Sequence, residues 1–257
     1  MSRHDELAAG LQSVRQRIAN AAADAGRETD PALIVVTKFF PASDVAALAT
    51  LGVQDVGENR DQEASAKAAE TAADPDCAGL RWHFIGQLQS NKAKSVVRYA
   101  YAVHSVDRSS VIKSLNKAMT MEQQARQEAG SAPRGNMQCF IQVNMDEGAG
   151  GADQDASAHQ GAERGGADPA DVLELATRIE NAEYLDLAGV MAVAPLGSDP
   201  DVAFGRLADI SHQLRHEYPH ADAVSAGMSG DLEHAIKHGA THLRVGSNVL
   251  GQRPGLR

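Results

Sequence analysis

Lys38 stands at the end of the apolar run LIVVTK, residues 33–38. A lysine among apolar neighbours has its charged form disfavoured by desolvation, which lowers its pKa. The free amine is then a nucleophile able to form a Schiff base with a carbonyl compound. The plainer alternative is a solvated strand boundary. A second stretch, Ser225-Ala226-Gly227-Met228-Ser229-Gly230-Asp231-Leu232, passes from a strand pattern into a helix pattern, and Arg244-Val245-Gly246-Ser247 follows the last strand pattern. Small residues let backbone N–H groups approach phosphate oxygens, and a helix N-terminus favours an anion. Capping explains the first stretch equally well, with Ser229 as N-cap and Asp231 in the first helical turn. Amine and loops together describe a site for a phosphorylated aldehyde.

A third element is Trp82-His83-Phe84-Ile85-Gly86-Gln87-Leu88-Gln89-Ser90-Asn91-Lys92, an alternating strand that leads into a polar turn and a helix. His83 is either a site residue or a satisfied interior histidine. Val56-Gly57-Glu58-Asn59-Arg60 likewise ends a strand in polar groups, with Asn59 a rim residue or a helix cap. The pairs His212/His216 and His234/His238 have i,i+4 spacing but neither the glutamate of HExxH nor a third ligand, so they read as surface histidines and no metal is expected. Walker A, Gly-x-Gly-x-x-Gly and Gly-x-Ser-x-Gly patterns are missing from the functional stretches.

These residues need a scaffold that gathers strand ends. Strand patterns occur at Leu33–Lys38, Asp55–Gly57, Arg81–Gly86, Ala102–Val106, Met137–Asn144, Leu187–Val193, Ala223–Ala226 and His242–Gly246. Helical patterns lie between them at Ser43–Leu51, Asp61–Ala73, Ser109–Ala129, Pro169–Asn181, Val202–Glu217 and Gly230–His238. An opening helix, Asp5–Ala25, carries the stripe Leu7, Leu11, Val14 and Ile18. Eight strands alternating with helices predict an α/β fold with a parallel sheet, and eight is the number that closes a TIM-type (β/α)8 barrel. A doubly wound open sheet is the competing architecture. It would carry a glycine-rich turn after the first strand, where this chain has Lys38-Phe39-Phe40-Pro41.

The 257 residues fit this as a single domain, residues 1–257, with 43% hydrophobic and 23% charged residues. The net charge of −10 argues against non-specific nucleic-acid binding and against an anionic membrane surface. The N-terminus MSRHDELAAG lacks the apolar stretch of a signal peptide, and Cys77 and Cys139 are two isolated cysteines, so a cytoplasmic protein with reduced, buried thiols is expected. Residues 146–171 hold seven acids against one arginine, and no aromatic or large aliphatic residue. Such a segment buries too little apolar surface to offset its ordering entropy, so a flexible insertion loop is expected. It carries −6 of the charge and leaves −4 for the rest.

Taken together, the segments resemble the pyridoxal 5′-phosphate (PLP) homeostasis protein family, relatives of the N-terminal barrel domain of bacterial alanine racemase. The resemblance rests on Val35-Val36-Thr37-Lys38, Val56-Gly57-Glu58-Asn59, the 82–92 block, His104-Ser105-Val106-Asp107, Gln142-Val143-Asn144, Gly189–Pro195, Gly227-Met228-Ser229 and Leu243-Arg244-Val245-Gly246. They occur in the family's order from about residue 33 to residue 253.

The resemblance implies a fold-type III PLP barrel with an extra N-terminal helix, and Lys38 as the lysine that holds the cofactor as a Schiff base (an N6-pyridoxal phosphate lysine). It implies phosphate contacts from Ser229, Gly246 and Ser247, and Arg244 facing the pyridine nitrogen. Asn59, His83, Ser225 and Met228 would line the cofactor. Phe39-Phe40 stands where polar residues are common, Ser247 where threonine is, and the acidic insertion is longer than the family's. An arginine at the pyridine nitrogen disfavours its protonation and weakens the ring as an electron sink. A racemase of this type also uses a second base carried by a C-terminal β-domain, which this chain is expected to lack. The expected role is therefore a non-catalytic carrier or buffer of PLP in vitamin B6 homeostasis, with apo PLP-dependent enzymes as partners, acting as a monomer. The alternatives are a fold-type III enzyme such as an amino-acid racemase, and a barrel that binds another phosphorylated metabolite non-covalently.

Overall fold

The computed structural model describes residues 1–146 and 165–252. Eight parallel strands close in sequence order: β1 (Ala32–Val36), β2 (Asp55–Glu58), β3 (Arg81–Phe84), β4 (Ala100–Val106), β5 (Met137–Gln142), β6 (Leu185–Met191), β7 (Ala223–Ser225) and β8 (His242–Val245). β8 returns to pair with β1, with Val35 opposite Val245. That closure brings the end of the first strand beside the end of the last, so the lysine turn and the glycine-serine loops meet on one rim. Helices α1 (Arg3–Asp24), α2 (Ala42–Thr50), α3 (Asp61–Thr71), α4 (Ala93–Val96), α5 (Ser109–Glu128), α6 (Val172–Glu180), α7 (Pro200–Glu217), α8 (Leu232–Lys237) and α9 (Ser247–Leu250) accompany the strands.

The parallel barrel and the opening helix agree with the sequence pattern, and the element ends differ for local reasons. The first strand stops at Val36 because Phe39 takes a left-handed conformation (φ 72°), which turns the chain before Pro41 caps α2. The helix expected at 169–181 divides into a 3-10 turn, Pro169–Asp171, and α6. The expected insertion falls mostly on residues 147–164, outside the described residues. Its far end is tied back to β5: Ala167 is buried, its N–H donates to the Gln142 carbonyl at 2.8 Å, and its carbonyl accepts from Asn144 N–H at 2.9 Å.

α1 belongs to the site's support. A capping box starts it, with the Ser2 hydroxyl accepting from Asp5 N–H and Asp5 accepting from Ser2 N–H. Leu7, Leu11, Val14 and Ile18 are buried beneath it. Gly10 faces α9 so closely that a Cβ there would stand 2.5 Å from the Val249 carbonyl oxygen. Arg3 donates to the Leu250 carbonyl at 3.1 Å and to Asp44 at 2.6 Å, which pins the end of α9 to α1 and α2. Both cysteines are free and buried. No helix among the described residues is long and apolar enough to cross a membrane.

Candidate functional site

A cavity of about 320 Å³ opens at the C-terminal ends of the strands, with Lys38, Phe40, Met228, Ser229, Arg244, Gly246 and Ser247 in its wall. Lys38 lies two residues beyond β1. The turn that carries it is gripped from both sides. The Thr37 hydroxyl donates to Glu58 Oε1 at 2.7 Å, and the Thr37 carbonyl accepts from Lys67 Nζ at 2.9 Å. On the far side, Phe39 N–H donates to Glu63 Oε1, which also pairs with Lys67 Nζ at 2.7 Å. Glu58 and Lys67 are both buried. Burial raises the Glu58 pKa above its ordinary value, against the hydrogen bonds from Lys67 and Thr37.

The opposite wall is made of small residues. Gly227 has φ 89°, and a Cβ there would meet the Ala235 Cβ at 2.7 Å, so only glycine lets the chain leave β7 this tightly packed on α8. Ser229 does not cap α8. That helix starts at Leu232 with Asp231 as its N-cap, and Asp231 instead accepts from Met228 N–H at 2.6 Å to close the loop. The Ser229 hydroxyl is thereby released to face the Ser247 hydroxyl at 3.2 Å. Arg17 of α1 reaches over the loop to the Ser229 carbonyl and pairs with Glu233 at 2.7 Å. A Cβ on Gly246 would press within 3.0 Å of the Val36 carbonyl, so glycine keeps this end of the cradle open.

Arg244 forms the floor. It is buried, with Nη1 donating to the Ser225 hydroxyl at 2.6 Å and Nη2 to the Ala192 carbonyl at 2.9 Å. Burial lowers its pKa to about 10, still well above neutrality. A chain of hydrogen bonds runs on from Ser225 through the barrel interior. Ser225 Oγ lies 2.9 Å from His104 Nδ1, His104 Nε2 lies 2.9 Å from His83 Nδ1, and His83 Nε2 lies 2.8 Å from Asp55 Oδ1. Arg244 can only donate and a carboxylate can only accept, so the Ser225 hydroxyl accepts from Arg244 and His83 Nε2–H donates to Asp55. Burial holds the His104 pKa well below its ordinary value, reinforced by the neighbouring His83, Arg244 and His242, each of which disfavours a further positive charge there. Burial pushes the Asp55 carboxyl up, but hydrogen bonds from His83 and Arg81 outweigh it and hold the group below its ordinary value.

Ser225→Ala would leave Arg244 Nη1 and His104 Nδ1 without this partner in the interior. A loss of about 2 kcal/mol in unfolding free energy is expected, measured from the urea midpoint. An unchanged midpoint would show that water takes the place of the hydroxyl.

Of the residues singled out in the sequence, Lys38, Met228, Ser229, Arg244, Gly246 and Ser247 come together in one wall. Ser225 sits beneath Arg244 rather than in it. His83 is the satisfied interior histidine: it faces a second cavity at the N-terminal barrel end, about 710 Å³, which it shares with Tyr101 and His242. Glu180, Glu183, Asp186 and Asp222 ring that cavity and disfavour an anion there. Asn59 directly follows β2, pressed by Gly86, where an added Cβ would lie 2.1 Å from the Asn59 carbonyl oxygen. Its Oδ1 is buried without a partner among the described residues.

Lys67 and Glu63 carry no signal in the sequence beyond the i,i+4 spacing common to solvated ion pairs on helices. His104, in a family-like motif, proves to be the buried link between Ser225 and His83. His234 and His238 share Asp201, at 3.3 and 2.8 Å, and no metal-binding cluster of His, Cys, Asp or Glu occurs among the described residues.

The profile of the alanine racemase N-terminal domain family matches residues 10–254. The pyridoxal phosphate homeostasis protein of Mycobacterium tuberculosis is 41% identical over 261 residues, covering 98% of this chain and 94% of the relative. Among solved structures, PipY of Synechococcus elongatus with PLP bound superposes with a TM-score of 0.73 at 28% identity, covering 95% of this chain and all of PipY. Alanine racemase from Corynebacterium glutamicum shares the barrel alone, with a TM-score of 0.59 at 13% identity over 60% of its own chain. With its motifs in order along a closed barrel, and with close relatives over nearly its whole length, the chain belongs to the pyridoxal phosphate homeostasis protein family.

Proposed function

We propose that this protein binds PLP as a Schiff base on Lys38 and acts in intracellular vitamin B6 homeostasis as a carrier or buffer without turnover of its own. The observation that carries the reading is the convergence of a lysine, a buried arginine and a serine-glycine cradle in one cavity of about 320 Å³. The residues fit the group. Gly246 and the facing hydroxyls of Ser229 and Ser247 suit a phosphate, Met228 offers an apolar edge, and the partnerless Asn59 Oδ1 is an acceptor awaiting a donor on the rim. Arg244 would face the pyridine nitrogen. PLP supplies a reactive aldehyde and an aromatic ring that can take up electrons.

The chain's own residues limit that chemistry. A guanidinium that stays charged at neutral pH disfavours a proton on the pyridine nitrogen, and the interior relay holds it there. This supports storage over racemisation, with apo PLP-dependent enzymes as recipients and a monomer as the working form. His83 and Ser225 are outside the cavity wall and would act by holding Arg244 through the hydrogen-bonded chain. Residues 1–257 form one domain in this reading.

Borohydride reduction of the PLP-loaded protein, followed by peptide mapping, should place the label on the peptide containing Lys38. Lys38→Ala should abolish both the label and the near-ultraviolet to violet absorbance of the bound cofactor. A label elsewhere, or a chromophore that survives the substitution, overturns the proposal. Addition of D- or L-alanine should leave optical rotation unchanged, whereas turnover would favour the racemase alternative.

A further inference from the structure

Phe39 is the sole non-glycine residue with positive φ among the described residues, at 72°, and it directly follows Lys38. A bulky side chain in this region carries backbone strain, and such strain persists only where the surroundings over-determine it. Here the surroundings are specific. Glu63 accepts the Phe39 amide, Lys67 Nζ donates to the Thr37 carbonyl, and Glu58 accepts the Thr37 hydroxyl. Lys67 ties the three together through 2.7 Å contacts to Glu58 Oε1 and Glu63 Oε1. The residue before Lys38 and the residue after it are thus both fastened to one buried ion cluster on β2 and α3. The Arg60 guanidinium, 5.6 Å from the centre of the Phe39 ring, holds the side chain from outside.

We propose that Glu63 and Lys67 are positioning residues that hold the strained 37–39 turn so that the Lys38 amine projects into the cavity. This rests on the reading of Lys38 as the PLP lysine. Neither residue touches the cofactor. Their part is to set the backbone before the cofactor arrives, so that the lysine meets the aldehyde already oriented.

Glu63 lies partly exposed, so Glu63→Ala is expected to fold, whereas Lys67→Met leaves two carboxylates without their cation and serves as a second variant. In the cofactor-free protein, hydrogen exchange at the Phe39 amide should accelerate at least about tenfold in Glu63→Ala. PLP affinity should fall by about tenfold. Glu63→Gln keeps a carbonyl acceptor and should restore both. Adding Phe39→Gly to Glu63→Ala should restore affinity without restoring amide protection, because glycine takes φ 72° without strain. A merely structural role would not produce that split.

Unchanged exchange and affinity in a folded Glu63→Ala protein overturn the proposal. So does a failure of Phe39→Gly to recover affinity. The exchange measurement needs no PLP. If wild-type Lys38 carries no label, the functional reading fails while the account of the turn is still judged by Phe39.

Discussion

Gly189→Ala should destabilise the barrel strongly. Gly189 lies in β6 opposite Phe140 of β5, where the pairing register shifts, with φ 149°. A Cβ there would stand 1.9 Å from the Ala223 carbonyl oxygen of β7. Backbone cannot swing aside as a flexible side chain can, so β6 and β7 must separate or Gly189 must leave its conformation. β7 is three residues long and ends at Ser225, the hydroxyl beneath Arg244, so any separation also breaks the floor of the site. A loss of about 3–5 kcal/mol is expected, against a total stability of roughly 5–15 kcal/mol for a typical domain. Urea unfolding should show the change, or the variant should be insoluble. Gly79→Ala, where nothing lies within 4 Å of the added carbon, should be nearly neutral. A Gly189→Ala protein within about 1 kcal/mol of wild type would show that the two strands can part without harm.

The second large effect is acid lability between pH 6.5 and about 4. His242 is largely buried beside Phe140, and burial followed by the nearby His83 lowers its pKa to about 4. His104, stacked on Phe140 with ring centroids 4.1 Å apart, moves in the same direction. A histidine held below its ordinary value binds fewer protons folded than unfolded. Stability is therefore fully present above pH 6.5 and declines as pH falls toward the folded value. His242 alone accounts for about 2–3 kcal/mol across that window. Glu58 works in the opposite sense, because its raised pKa lets the fold take up a proton more readily than the unfolded chain. The thermal midpoint should drop steadily from pH 6.5 to pH 5. His242→Gln, neutral throughout, should flatten the slope and isolate the imidazole part. A midpoint that holds constant over that interval contradicts the burial of uncharged histidines in the barrel.

The barrel was legible because its signals are local. The strand and helix patterns repeat along the chain, and a parallel pair can be joined only by a crossover, which here was helical. Lys38, Arg244 and the glycine-serine loops stood out for the same reason: their types and neighbours describe their chemistry before any contact is known. His83 did not, since alternation in a strand says that side chains take opposite faces, not which end of the barrel interior one of them serves. Its register against Asp55 and His104 decided that. Ser229 was ambiguous because capping and anion binding ask for the same residue. The structure gives the capping position to Asp231, which closes the loop on Met228 and directly precedes α8.

Lys67 is the clearest divide. In sequence, Glu63 and Lys67 are one turn apart on a polar helix, the pattern of a solvated ion pair. Only the packing of α3 against β2 buries the lysine and turns it toward the Thr37 carbonyl. By itself, the sequence determined the barrel, the order of its strands and most of the polar residues that meet in the cavity at its C-terminal rim, because hydrophobic period and residue chemistry act over short stretches of chain. The tertiary structure alone decided which polar groups share a dry interior. Closure of β8 on β1 and the docking of α3 set distances between residues far apart in sequence, and those distances decide which donors and acceptors pair and which charges are buried.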